Sequence, residues 1–62
     1  MPEKVIVKIR TFDPWGRGIG ALEDGTVVVV EDAEVGETVE AEVQYKIHTP
    51  VGKILYAKRV TK

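Results

Sequence analysis

Three of the four aromatic side chains in this chain stand beside basic ones. Trp15 is two residues from Arg17, Tyr45 precedes Lys46, and Tyr56 is followed by Ala57, Lys58 and Arg59. Rings next to guanidinium and ammonium groups are what unpaired nucleic acid requires of a binding surface. Bases stack on the rings while the cations hold phosphates. Trp15, between Pro14 and Gly16, has little local core to join and is the best stacking candidate. His48, the only histidine, adds a ring near the same late segment, and Lys53 adds a cation. Tyr45 shares its strand parity with Val43, which assigns it to the core instead. Phe12 is expected to cap one end of the fold.

Other chemistry finds no support in the residue types. There is no Cys and no Ser, so neither a disulfide framework nor a serine or cysteine nucleophile is available. His48 has no second His or Cys with which to build a metal site. Glu31, Asp32, Glu34 and Glu37 do not follow the EF-hand spacing and read as a solvated acidic loop. Gly16-Arg17-Gly18-Ile19-Gly20 lacks the Lys-Ser/Thr of a phosphate loop and the full dinucleotide spacing, and no helix follows it. Its backbone amides still suit contact with a phosphate. The expectation is a binding protein with no cofactor and no catalytic site.

These residues must be positioned by short strands. Met1 to Phe12 alternates Val5, Val7 and Ile9 with Ile6, Lys8 and Arg10, the period-2 pattern of a half-buried strand. Asp13-Pro14 stops it. The alternating glycines let the chain bend or lie close to another backbone, and Ala21-Leu22 carries a short second strand to the hairpin signal Asp24-Gly25. Thr26 to Val30, with four consecutive valines, suits a strand covered on both sides. Thr38 to Ile47 alternates Val39, Ala41, Val43, Tyr45 and Ile47 with polar residues. A turn at Thr49-Pro50-Val51-Gly52 leads to a last strand, Lys53 to Thr61. That strand has apolar residues of both parities, which predicts a bulge within it. No segment has helical periodicity. With 62 residues the chain reads as one domain, 1–62, and five short strands close best as a barrel.

Net charge is −1, but the charge is divided along the chain. Eight acidic residues and no basic one lie between Glu23 and Glu42, and all nine Lys and Arg lie outside that stretch. If the first and last strands are neighbours, they and the Arg17 loop form one basic face suited to phosphates. The alternative is an evenly mixed surface with ordinary cross-strand ion pairs. No apolar run has the length of a signal-peptide core or a membrane span, and a cytoplasmic location is the default expectation.

Three stretches together resemble the TRAM domain family. Gly16-Arg17-Gly18-Ile19 is similar to the family's Gly-x-Gly-hydrophobic signature after the first strand. Asp24-Gly25 leading into Val27-Val28-Val29-Val30 is similar to its central strand. Ala33 through Val35-Gly36-Glu37-Thr38-Val39 is similar to its approach to the fourth strand, and Ala57 suits its final strand. The resemblance spans nearly the whole chain. It implies an all-β, five-stranded antiparallel OB-like barrel that binds RNA through aromatic and basic surface residues, as cold-shock-like RNA chaperones or tRNA- and rRNA-binding modules do.

The expected RNA-binding set is therefore Trp15, Arg17, Lys46, His48, Lys53, Tyr56, Lys58 and Arg59, in a monomer of low sequence specificity. The competing expectation is a protein-interaction barrel that keeps the fold and has lost the RNA surface. The acidic 23–42 stretch and the few aromatics motivate it.

Overall fold

The computed structural model describes residues 3–60. Met1, Pro2 and Thr61, at the ends of the first and last expected strands, lie outside the described residues, as does Lys62. Five strands follow one another: β1 (Lys4–Phe12), β2 (Gly18–Ala21), β3 (Val27–Glu31), β4 (Thr38–Thr49) and β5 (Gly52–Arg59). They close into a ring in the order β1-β2-β3-β5-β4, with β4 pairing back onto β1. None of the described residues forms a helix long and apolar enough to cross a membrane.

Four of the five pairings are antiparallel and one, β3 with β5, is parallel. The ring is thus the mostly antiparallel, OB-like arrangement that the sequence leads one to expect, with one parallel pair. A closed ring with an odd number of strands cannot alternate direction all the way round, so one parallel pair is required.

The core is small and aliphatic. Val7, Ile9, Val28, Val30, Ala33, Val39, Ala41, Leu55 and Ala57 are buried together. A narrow ring cannot accommodate large side chains from every strand, and glycine supplies the tightest approach. A Cβ on Gly20 would lie 2.6 Å from Val7 Cγ2 and collide with the Lys8 carbonyl. Gly18 and Gly20 thus let β2 pack closely against β1.

The irregularities fall elsewhere than expected. The last strand runs straight, with Leu55 and Ala57 buried, and its apolar residues of the other parity point outward. The bulge lies instead on β4, between Val43 and Tyr45, where Gln44 is the extra residue opposite β5. A second shift on β1 between Ile9 and Thr11 leaves Arg10 as the extra residue opposite β2. Bulges bend and twist a strand, which is how two long strands leave the curvature of a small ring. Beyond its bulge, β4 has no β1 partner, since that pairing ends at Glu42. β5 meets β3 only from Ile54 onward. The end of β4 at His48 and Thr49 and the start of β5 at Gly52 and Lys53 therefore project from the ring as a two-stranded arm.

The bulge also overturns the core assignment of Tyr45, which is 70% exposed. Phe12, opposite Gly18, remains 46% exposed and only partly covers its end of the ring. The terminal strands are not neighbours either. β4 lies between β1 and β5, and its Glu42 is the register partner of both Lys4 and Lys58. No single basic face forms, because the acidic strand separates the two basic ones.

Candidate nucleic-acid interface

Asp13 organises the loop between β1 and β2. Its Oδ1 accepts the backbone N–H groups of Trp15 at 2.9 Å and Arg17 at 2.8 Å. Its Oδ2 takes the Arg17 Nε–H at 2.6 Å. The Asp13 carbonyl accepts from Gly16, whose φ of +82° completes the turn. Partial burial of the Asp13 carboxyl raises its pKa. The three N–H donors and the guanidinium charge outweigh that effect and hold it below the ordinary 3.8.

The loop displays two side chains over the sheet. Trp15 is 79% exposed, and the Arg17 guanidinium carbon lies 5.6 Å from the Trp15 ring centroid. It is equally 5.6 Å from the centroid of Tyr56 on β5. Cation–π attraction at this distance fixes the two rings and the charge as one group.

Strand register extends the group across the sheet. Ile19 pairs with Val29, Val29 with Tyr56, and Tyr56 with Tyr45, so one outward row crosses β2, β3, β5 and β4. The next row is Ala21, Val27, Ile54 and Ile47, entirely apolar. Val29 points outward yet is only 8% exposed. It forms part of a cleft of about 300 Å³ lined by Arg17, Glu31, Gln44, Tyr45, Tyr56, Ala57 and Lys58 as well. Exposed rings above an apolar floor, with cations at the margin, are suited to stacking planar bases.

The eight residues expected from sequence do not form one group. Trp15, Arg17, Tyr56 and Lys58 share this outer face, the last three lining the cleft. Lys46 lies on β4 just before the arm, and His48 and Lys53 lie on the arm itself. Lys46 pairs with Leu55 and His48 with Lys53, placing them on the opposite side of these strands from Tyr45 and Ile47. Lys46 is also bonded to Glu3 at 2.7 Å. Arg59 is turned toward the mouth of the ring. Its Nη1 donates to the Asp32 carbonyl at 3.1 Å and to Glu37 Oε1 at 3.0 Å, and Nη2 pairs with Glu37 Oε2.

Sequence reasoning missed Tyr45, Gln44 and Asp13. For Tyr45 and Gln44 the signal was hidden by the bulge, which reverses the parity of every residue after it. For Asp13 a signal was present. Asp13-Pro14 marks the end of the strand and a turn, and an Asp placed two and four residues before the N–H groups it binds is the pattern that organises such a turn.

A closed ring in this strand order, with an aromatic and apolar outer face on β2, β3 and β5 beside the first loop, is consistent with the OB-like barrels. Members of that class commonly take oligonucleotides on the same face. The family model of the TRAM domain matches residues 3–45, so the chain belongs to the TRAM domain family. TRAM domains are generally RNA-binding modules, and a general RNA-binding role is supported for this chain. The match reaches from β1 to the Tyr45 ring and leaves β5 outside it. No curated protein and no solved structure matches the chain.

Proposed function

We propose that the protein binds unpaired RNA with low sequence specificity through the outer face of β2, β3 and β5, the Trp15 loop and the bulged part of β4. Trp15, Tyr56 and Tyr45 are the stacking rings, Arg17 is the phosphate contact, and Lys58 supplies a cation at the margin of the cleft. The observation that carries the reading is the Trp15–Arg17–Tyr56 stack beside the Tyr45 cleft. Asp13 engages Nε of Arg17, which leaves the terminal guanidinium nitrogens directed to a ligand.

Stacking requires bases already out of a helix, so the targets are single strands and the unpaired loops of tRNA or rRNA. Trapping such strands is RNA-chaperone activity, and it needs no hydrolysis, metal or cofactor. The protein acts in the cytoplasm and as a monomer, since closure of the ring pairs most strand edges and leaves mainly the far half of β4 open to a second copy.

The test is an NMR titration of the labelled protein with a short single-stranded RNA, at low salt and at about 0.2 M. Shifts at Trp15, Arg17, Tyr45, Tyr56 and Lys58, weakening with salt, are expected. Absence of shifts at low salt overturns the proposal and directs attention to protein partners.

A further inference from the structure

The cleft has polar walls that general stacking does not use. Glu31 ends β3, and Lys58 is its register partner on β5, so a carboxylate and an ammonium leave adjacent strands on the same side. They stand one row beyond Val29 and Tyr56. Successive same-side rows on a strand are about 6–7 Å apart. That is roughly the span from the middle of a stacked base to an atom hydrogen-bonded at its edge. Gln44, the bulged residue, closes the cleft from β4. Its amide nitrogen donates to Glu42 Oε2 at 3.2 Å and to the Glu42 carbonyl at 3.3 Å.

The four RNA bases differ in what they would offer such a wall. Guanine alone has two adjacent donors, N1–H and the N2 amine, followed by an acceptor, O6. A carboxylate has two oxygens that can accept both donors side by side, and a neighbouring ammonium suits O6. Uracil brings a carbonyl on each side of its single N–H against the carboxylate. Cytosine and adenine each present one amine donor beside acceptors. The Glu31–Lys58 pair therefore complements guanine best.

We infer that the cleft is a guanine-selective position within an otherwise unselective strand-binding face, Glu31 accepting from N1–H and N2 and Lys58 donating to O6. The inference rests on the RNA-binding reading of this same face. Only one nucleotide is read. A cavity of about 300 Å³ is at the lower limit of small-molecule sites and suits a single planar base.

Fluorescence anisotropy with short labelled uridine tracts at low salt tests it. The central position carries uridine, cytidine, adenosine, guanosine or inosine. The guanosine tract is expected to bind about tenfold more tightly than the all-uridine tract, the scale of discrimination of a good bidentate pair. Inosine lacks only the N2 amine and is expected to fall between the two. E31Q is expected to bring the guanosine-to-uridine ratio close to one. Equal binding of all five tracts overturns the inference and leaves the RNA-binding reading intact. Inosine binding as tightly as guanosine, or full preference persisting in E31Q, overturns the carboxylate contact. The inosine comparison is made on the unaltered protein and is independent of any folding defect in the variant. If no tract binds, the RNA-binding reading falls and the inference with it.

Discussion

Arg17 and Arg59 leave the same end of the sheet, and each is held by a carboxylate. Arg17 lies on the outer face, and its partner Asp13 is four residues away in the same loop. Arg59 points toward the mouth of the ring and joins β5 to Glu37 and Asp32 across more than twenty residues of chain. The local pair presents a flat cation between two rings. The distant pair ties the β3–β4 loop over the core, with both oxygens of Glu37 engaged. An ion pair's role here is set by what lies on its far side: solvent and aromatic rings for Arg17, chain to be fastened for Arg59.

The largest effect is expected where the displayed group is removed. The Trp15→Ala, Arg17→Ala double variant should weaken single-stranded RNA binding by about 100-fold at low salt, because stacking and phosphate contact are lost together. Its thermal midpoint should stay close to that of the parent, since both side chains lie outside the core. Anisotropy and a thermal melt on the same sample check the two halves, and unchanged affinity would reject the assigned face.

Tyr45→Ala comes next, with about a tenfold loss of affinity, the scale of one stacked base. A tyrosine serving the core would instead cost stability, so a melt separates the two roles of this residue. Arg59→Ala should reverse the pattern. Its midpoint should fall by about 5 °C as the clamp on the loop opens, while RNA affinity changes less than about twofold. A large affinity loss with a normal melt would move Arg59 back among the RNA contacts.

Acid should loosen both loops. The Glu37 carboxyl is held below its ordinary 4.5 chiefly by the Glu34 N–H; partial burial opposes this, and the hydrogen bond and charge of Arg59 add to the lowering. Asp13 is likewise held below 3.8. A carboxyl whose pKa is lower folded than unfolded stabilises the fold fully above the unfolded value. That contribution is lost as pH falls through the folded one. Melts should thus be flat down to about pH 5 and decline below about pH 4. Glu37→Gln should flatten part of that decline. Lys46→Gln should have the smallest effect, about twofold or less on RNA affinity, since Lys46 lies on the opposite face of β4 from Tyr45 and is paired with Glu3.

Much of the fold was legible in the residue pattern because strand alternation and turn residues are local properties. β1 and β4 follow period-2 runs, β3 is an unbroken run of valines, and Asp24-Gly25 and Thr49-Pro50-Val51-Gly52 bring their turns. The site was legible only in part. Trp15, Arg17 and Tyr56 could be picked out by type and neighbourhood, and the structure brings them into contact. Lys46, His48, Lys53 and Arg59 have the same chemistry in the sequence but are directed elsewhere. Their direction depends on a bulge and on a partner strand that no local window contains.

By itself the sequence determined that this is an all-β domain with an aliphatic core, that its aromatic and basic residues are adjacent, and that a glycine-rich loop follows the first strand. Those properties follow from side-chain shape and backbone freedom over a few residues. Tertiary structure decided the rest. Closing an odd-numbered ring made β3 and β5 parallel and set Glu31 beside Lys58. It also put the acidic β4 between the two basic strands and so dissolved the expected basic face. The bulge at Gln44 turned Tyr45 from the core to the cleft, because one extra residue in a period-2 strand reverses the face of everything beyond it.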